Sequence, residues 1–252
     1  MKLGTFTRGT GPHLTFIHGF TQTKESWIPV IDALPKQFAF DLIDAPGHGE
    51  SSNGQRTLSE TGGDVAESMT PGVLIGYSMG ARIALHTALQ HPEKVTALVL
   101  VSGTAGIDSV EERASRRSSD ESLANRISEI GVSAFIDEWL SNPMFQGLSR
   151  EFADIPSRCS NTAEGLGDSL RFAGTGTQEP LWDHLHKLNI PVLLIVGEND
   201  QKFTELGNRM SDLLPDCELH VIKGVGHTCH LEDINTFTVI LQRWLLSIQG
   251  DR

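Results

Sequence analysis

The sequence predicts a mixed α/β fold: a mostly parallel central sheet with helices on both faces, and a helical segment inserted between two strands. Three observations lead there. Short apolar runs alternate with helical stretches up to Val101 and again after residue 184, the pattern of βαβ units. The run 95–101 is apolar almost throughout, as a strand covered on both faces must be. Between about Gly103 and Asp183 the strand-like runs stop and helical periodicity takes over.

The elements follow in order. The chain opens Met1-Lys2-Leu3-Gly4-Thr5-Phe6 and runs into strand-like sequence. It carries no signal-peptide hydrophobic region or cleavage site. Strands are expected at 14–17, 38–43, 73–75 and 95–101. In the insertion, Asp108 with Glu111 predicts a capping box at a helix start. Leu123, Ile127 and Ile130 lie at helical spacing, and Gly131 is a stop. Phe135, Ile136, Trp139 and Leu140 form a second apolar stripe, ended by Asn142-Pro143. Strands return at 192–196 and 218–222, and a last helix covers 237–246. Residues 1–102 and 184–252 therefore form the sheet core, and 103–183 a helical lid over one edge of the sheet.

Composition narrows the partners. The 252 residues are 38% hydrophobic and 21% charged, ordinary for a soluble globular chain. Twenty Lys and Arg against 32 Asp and Glu give a net charge of −12, which argues against nucleic acid as a partner. An anionic ligand must be held by a local cluster of cations. No run approaches the roughly 18 apolar residues of a membrane span. Cys159, Cys217 and Cys229 are too few and too scattered for a disulfide framework or a zinc site. They fit a reducing compartment, so a cytoplasmic protein without a metal is expected.

The most specific motif is Gly76-Tyr77-Ser78-Met79-Gly80. This G-x-S-x-G directly follows a strand and precedes a helical run, which is the context of a nucleophile elbow. Such a turn places Ser78 above the sheet edge at a helix N-terminus, where the Met79 N–H can serve a developing oxyanion. A serine hydroxyl needs a histidine to take its proton. In folds with this elbow the acid and then the histidine follow it in the chain. Asp200 comes after the strand 192–196, in Gly197-Glu198-Asn199-Asp200. His227 comes after the last strand, in Gly224-Val225-Gly226-His227. His230 competes with it, but is expected to begin the final helix and face elsewhere. The second oxyanion donor is expected at the Phe20 N–H, in His18-Gly19-Phe20 after the first strand. The turn Asp44-Ala45-Pro46-Gly47-His48-Gly49 reads as structural, closing the pocket floor.

Spacing says less about the cations. Arg82 lies four residues after Ser78, about one helical turn away. Arg113, Arg116 and Arg117 share one helix face, where Arg116 with Asp120 and Arg117 with Glu121 make i, i+4 ion pairs. On spacing alone these are solvated pairs, Arg158 has no reading, Trp139 on its apolar stripe reads as core, and Tyr77 either lines the pocket or only packs.

With these residues in view, the chain resembles the α/β-hydrolase superfamily along nearly its whole length. More narrowly it resembles the 2-succinyl-6-hydroxy-2,4-cyclohexadiene-1-carboxylate (SHCHC) synthases of menaquinone biosynthesis. The narrower likeness rests on the lid, chiefly Glu112-Arg113-Ala114-Ser115-Arg116-Arg117, Phe135-Ile136-Asp137-Glu138-Trp139-Leu140 and Arg158-Cys159-Ser160-Asn161. Gly174-Thr175-Gly176-Thr177-Gln178-Glu179-Pro180-Leu181-Trp182, Gly197-Glu198-Asn199-Asp200-Gln201-Lys202-Phe203 and Gly226-His227-Thr228-Cys229-His230 also fit it. Ala81 stands where the family often has glycine, with little effect expected. The resemblance implies a triad of Ser78, Asp200 and His227, and substrate contacts from Tyr77, Arg82, Arg116, Trp139 and Arg158. It thereby reverses the spacing reading of Arg116. Lys202 follows Asp200 closely enough to touch substrate.

The resemblance implies a carbon–oxygen lyase acting on a small polycarboxylate. Pyruvate is eliminated from 2-succinyl-5-enolpyruvyl-6-hydroxy-3-cyclohexene-1-carboxylate, with Ser78 as the base and no cofactor. Two other readings use the same residues. One is a serine hydrolase of a small ester, thioester or carbon–carbon bond. The other is a non-catalytic receptor built on the same pocket.

Overall fold

The computed structural model describes residues 1–250; residues 251 and 252, the last two of the segment 184–252, lie outside the described residues. Seven strands form one sheet: β1 (Thr5–Arg8), β2 (His13–Ile17), β3 (Ala39–Ile43), β4 (Gly72–Tyr77), β5 (Val95–Val101), β6 (Val192–Gly197) and β7 (Cys217–Ile222). Their order across the sheet is β1-β3-β2-β4-β5-β6-β7. Among the described residues only β1 runs antiparallel to its neighbour. Every parallel strand therefore ends at the same edge, and the loops that follow them meet there.

Side chains alternate between two apolar layers, as strand geometry requires. Leu98 and Leu100 face one layer with Leu74, Ile83 and Met210. That layer is closed by α2 (Leu58–Ser68), α3 (Met79–Gln90) and α8 (Gln201–Ser211), with α1 (Ile28–Ala33) on the other side. Ala97, Val99 and Val101 face the opposite layer, with Phe16, Trp27, Phe237 and Trp244. There α9 (Cys229–Glu232) and α10 (Ile234–Gly250) complete the cover. The strand at 95–101 has the expected bounds, and the others differ by one or two residues at an end. The last helix starts three residues earlier than its apolar stripe, at Ile234, where the preceding Asp233 carboxylate accepts the Thr236 N–H at 2.9 Å.

Four helices intervene between β5 and β6: α4 (Val110–Ile130), α5 (Val132–Leu140), α6 (Ile155–Cys159) and α7 (Ala163–Ala173). They enclose their own small apolar cluster, Ala124, Ile127, Phe135, Ile136, Leu166 and Leu170. Gly131 ends α4 with φ 79°, the left-handed region that glycine enters freely. The helix start differs from expectation. Ser109, not Asp108, caps α4 by accepting the Glu112 N–H at 3.2 Å. The Asp108 carboxylate is occupied by an ion pair with Arg209.

That pair helps close the stem of the insertion. The Arg209 guanidinium also lies 3.7 Å from the Trp182 ring centroid. The Trp182 indole donates to the Gly106 carbonyl at 3.1 Å, and the Leu181 N–H to Ala105 at 2.7 Å. Leu181 and Trp182, the far end of the segment 103–183, thus pack with the sheet layer and not with the lid's cluster.

His230 is fully buried between aromatic rings, with centroids 4.6 Å from Trp27 and 4.3 Å from Tyr77. Neither ring nitrogen has a hydrogen-bond partner among the described residues. Burial first, then the nearby His227 and Arg158, push its pKa down to about 3. The folded state therefore holds it neutral, while the unfolded chain takes up its proton near pH 6.5. Its contribution is present above pH 6.5 and is lost as pH falls toward 3. Within that window one such histidine adds a slope of about 1.4 kcal/mol per pH unit. Urea unfolding from pH 7 to 4 is expected to show falling stability, and His230→Phe a shallower slope. An unchanged slope in the variant would contradict this account.

Candidate active site

β4 ends at Tyr77, and Ser78 turns the chain into α3 with φ 51° and ψ −105°. This is a strained conformation for a residue with a side chain, costing on the order of 1–3 kcal/mol. The two glycines are required by close approach. A Cβ on Gly76 would come within 2.6 Å of the Ala81 nitrogen, and one on Gly80 within 2.6 Å of the His18 carbonyl oxygen. The Ser78 N–H donates to the Val101 carbonyl at 2.9 Å, which fastens the elbow to the adjacent strand.

Asp200 follows β6 and His227 follows β7, as their places in the sequence predict. Asp200 Oδ2 lies 2.6 Å from His227 Nδ1, and Ser78 Oγ lies 3.0 Å from His227 Nε2. A carboxylate only accepts, so Nδ1 carries the hydrogen and Nε2 is free to take the proton of Ser78. His227 is 2% exposed, and Phe203 packs on it with ring centroids 4.5 Å apart. His230 lies in α9, before the last helix, and makes no polar contact with the triad. The competition between the two histidines is thus decided by which one the loop turns toward Ser78.

The loop after β2 is held from beneath. The Ala45 N–H donates to His18 Nε2 at 3.0 Å, so the hydrogen sits on Nδ1, which donates to the Gly19 carbonyl at 2.8 Å. Burial lowers the His18 pKa. Gly19 passes against Tyr77, where a Cβ would lie 2.6 Å from the ring. Lys24 Nζ donates to the buried Asp44 at 2.8 Å and to Glu50 at 2.9 Å. The 44–49 turn therefore braces this loop from below.

A cavity of about 490 Å³ opens in front of Ser78. Ser78, Met79 and Phe20 line it on the sheet side, and Arg116, Leu123, Trp139 and Leu170 on the lid side. Three cations converge on it: Arg82, Arg116 and Lys202. Arg82 donates to the Ala173 carbonyl at 2.7 Å and is 7% exposed. Burial first and the Arg116 charge second push its pKa down to about 9, which still leaves it charged at neutral pH. Arg116 Nε donates to Asp120 at 2.8 Å. The i, i+4 pair and the place on the cavity wall are both real. The other expected pair is not made, because Glu121 accepts from Arg171. Arg117 instead donates to the Gly176 carbonyl, and Arg113 to those of Ile107 and Asp108. A larger hollow, about 620 Å³, lies beyond His86 and holds no triad residue.

Two residues expected at the substrate stand elsewhere. Arg158 is 2% exposed and does not line the cavity. Its guanidinium donates to the Thr21 hydroxyl and, at 2.6 Å, to the Ala153 carbonyl. Thr21 itself takes φ 68°, so Arg158 braces a strained residue next to Phe20. Tyr77 is also off the cavity wall, buried between Gly19, His227 and His230. Sequence reading passed over Thr104, Ser119, Asn142, Met144, Ser169 and Thr175, which all line the cavity. Apart from Asn142 and Met144, which share one turn, they come from separate stretches of chain.

A nucleophile elbow, a Ser–His–Asp triad and a lid inserted after β5 define the scaffold of an α/β hydrolase. Residues 16–235 match the Alpha/beta hydrolase family. The chain is 37% identical over 246 residues to a Bacillus subtilis protein that carries the SHCHC synthase name provisionally; the match covers 92% of this chain and 89% of that one. It is 30% identical to the Photorhabdus laumondii SHCHC synthase, covering 93% of this chain and 85% of the other. The solved structure of MenH from S. aureus superposes with a TM-score of 0.90 at 26% identity, covering 97% and 98% of the two chains. The chain belongs to the α/β-hydrolase superfamily and, within it, to the SHCHC synthase family.

If Asp200 holds the imidazole as described, Asp200→Asn presents the wrong tautomer to Ser78. Labelling of Ser78 by a fluorophosphonate is then expected to slow by at least about a hundredfold. Labelling at the wild-type rate would remove Asp200 from the triad.

Proposed function

We propose that the cavity binds 2-succinyl-5-enolpyruvyl-6-hydroxy-3-cyclohexene-1-carboxylate and eliminates pyruvate, as a carbon–oxygen lyase of menaquinone biosynthesis. The observation that carries this reading is the placing of Arg82, Arg116 and Lys202 around a cavity that Ser78 also lines, in a chain of net charge −12. Such a local positive field suits a substrate with several carboxylates and has no use in binding a neutral ester.

The chemistry is a 1,4-elimination. His227 takes the Ser78 proton, and the Ser78 oxygen removes the hydrogen from C2 of the ring, which the succinyl ketone acidifies. The electron pair forms C2=C3, the C3=C4 double bond shifts to C4=C5, and the C5–O bond breaks. The enolpyruvate oxygen leaves with that bond's electrons, the proton held on the triad passes to it, and the released enol tautomerises to pyruvate. No acyl-enzyme forms. The Phe20 and Met79 N–H groups hold the enolate oxygen, an effect worth roughly 3–4 kcal/mol per donor in comparable sites. Asp200 stabilises the imidazolium.

Arg82 and Arg116 bind carboxylates, which the planar guanidinium matches in geometry. A carboxylate between them also removes their mutual repulsion. Lys202 supplies a further positive charge, and Trp139 an apolar wall. Arg158 serves from behind by holding Thr21, and Tyr77 by packing against His227.

The test is pyruvate release from freshly made substrate, compared with Ser78→Ala and with buffer because the substrate decays unaided. Wild type is expected to turn over at roughly 1–1000 per second, far above both controls. Release no faster than buffer would refute the reading and leave a serine hydrolase on the same triad. Arg116→Ala removes one or two charge-assisted hydrogen bonds, each worth about 1.5–3 kcal/mol. Its KM is expected to rise at least about tenfold; an unchanged KM would take Arg116 out of substrate binding.

A further inference from the structure

The loop that carries the base is gripped by Glu232, a carboxylate with no part in the proton transfer described above. Glu232 ends α9, one turn beyond His227. One of its oxygens accepts the Gly226 N–H at 2.7 Å. The other accepts the Thr228 N–H at 3.1 Å and the Thr228 hydroxyl at 2.6 Å. The two backbone donors are the residues on either side of His227. A further bond reaches His227 itself: the Ser102 hydroxyl donates to its carbonyl at 2.9 Å. Ser102 sits at the end of β5 with φ 48°. The base is thus tied to the sheet through its own carbonyl and to α9 through both neighbours.

The lid reaches the same carboxylate. Gly147 follows the short turn Pro143–Phe145 and lies directly on Glu232. A Cβ at Gly147 would stand 2.7 Å from the Glu232 carboxyl carbon and would overlap its outer oxygen. Met144, three residues earlier, lines the catalytic cavity. One short lid segment therefore touches both the substrate space and the support of the base.

We propose that Glu232 is a positioning residue for His227: its carboxylate clamps residues 226 and 228 and thereby sets the reach of the imidazole to Ser78, and Gly147 is the lid position that leaves room for it. The physical warrant is that hydrogen bonds to an ionised acceptor are short and strong. A proton-transfer group displaced by about 1 Å can lose up to about a hundredfold in rate. The proposal rests on His227 as the base of the triad.

Glu232→Gln keeps the size of the side chain but puts an NH2 where an oxygen accepts. Gly147→Ala leaves Glu232 in the chain and displaces its carboxylate; position 147 is exposed, so the added methyl is compatible with folding. Three quantities are measured for both variants: Tm, kcat and KM for pyruvate release, and the downfield proton NMR resonance of the His227 Nδ1–H bonded to Asp200. The expected result is a Tm within a few degrees of wild type, a KM within about twofold, a kcat lower by on the order of tenfold, and a shifted or broadened resonance. A folded Gly147→Ala protein with full kcat and an unmoved resonance would overturn the proposal. So would a loss of kcat that merely tracks the folded fraction while the resonance stays intact. If Glu232→Gln does not fold, Gly147→Ala decides alone. If wild type shows the resonance but releases no pyruvate, the lyase reading fails separately, and the rate of fluorophosphonate labelling at Ser78 replaces kcat.

Discussion

The left-handed turn at Ser78 is the constraint from which the site is built. A parallel strand must stop, reverse its backbone within one residue and start a helix, all while packed against the β2 loop. Gly76 and Gly80 are the positions where the chain passes too close to other backbone for any side chain. The strain is held because Ser78 is tied to Val101 and its helix is buried along most of its length. Once the turn exists, its geometry follows: the hydroxyl stands above the sheet edge and the first helical N–H groups point at the same space. The neighbouring β6 and β7 end at that edge too, so their loops need to travel only a few residues to bring Asp200 and His227 into line.

The second organising feature is electrostatic. A chain of net charge −12 presents three cations to one cavity, and it does so by dividing its arginines between tasks. Arg82 and Arg116 face the cavity. Arg113 and Arg117 satisfy backbone carbonyls around the lid's ends. Arg158 is buried beneath the loop after β2, where its hydrogen bonds to Thr21 and Ala153 offset its desolvation. Arginine suits each of these places because its five donors serve a carboxylate, a carbonyl or a hydroxyl equally well. The same property makes the tasks indistinguishable by residue type.

Much of the fold was legible in the sequence. The strands are short apolar runs, the elbow is a five-residue motif in its required setting, and Asp200 and His227 each follow a strand of their own. These are local facts, and local spacing records them. The start of α4 was misread because Asp108 and Ser109 are both good caps, and a distant partner, Arg209, chose between them. Arg116 was ambiguous because its pair with Asp120 and its place on the cavity wall are compatible. The polar lining of the cavity was invisible because its members come from five separate stretches of chain.

The sequence by itself determined the order of the elements, the turn that exposes Ser78 and the strand ends after which Asp200 and a histidine stand. Each of these depends on neighbours within a few residues, through backbone sterics and strand or helix period. Only the tertiary structure decided which histidine reaches Ser78, which arginines face the cavity and which carboxylate bonds to the backbone on either side of His227. The first two of those outcomes depend on segments far apart in the chain meeting at one sheet edge: Ser78 and His227 are 149 residues apart, and Arg82 reaches the Ala173 carbonyl across 91.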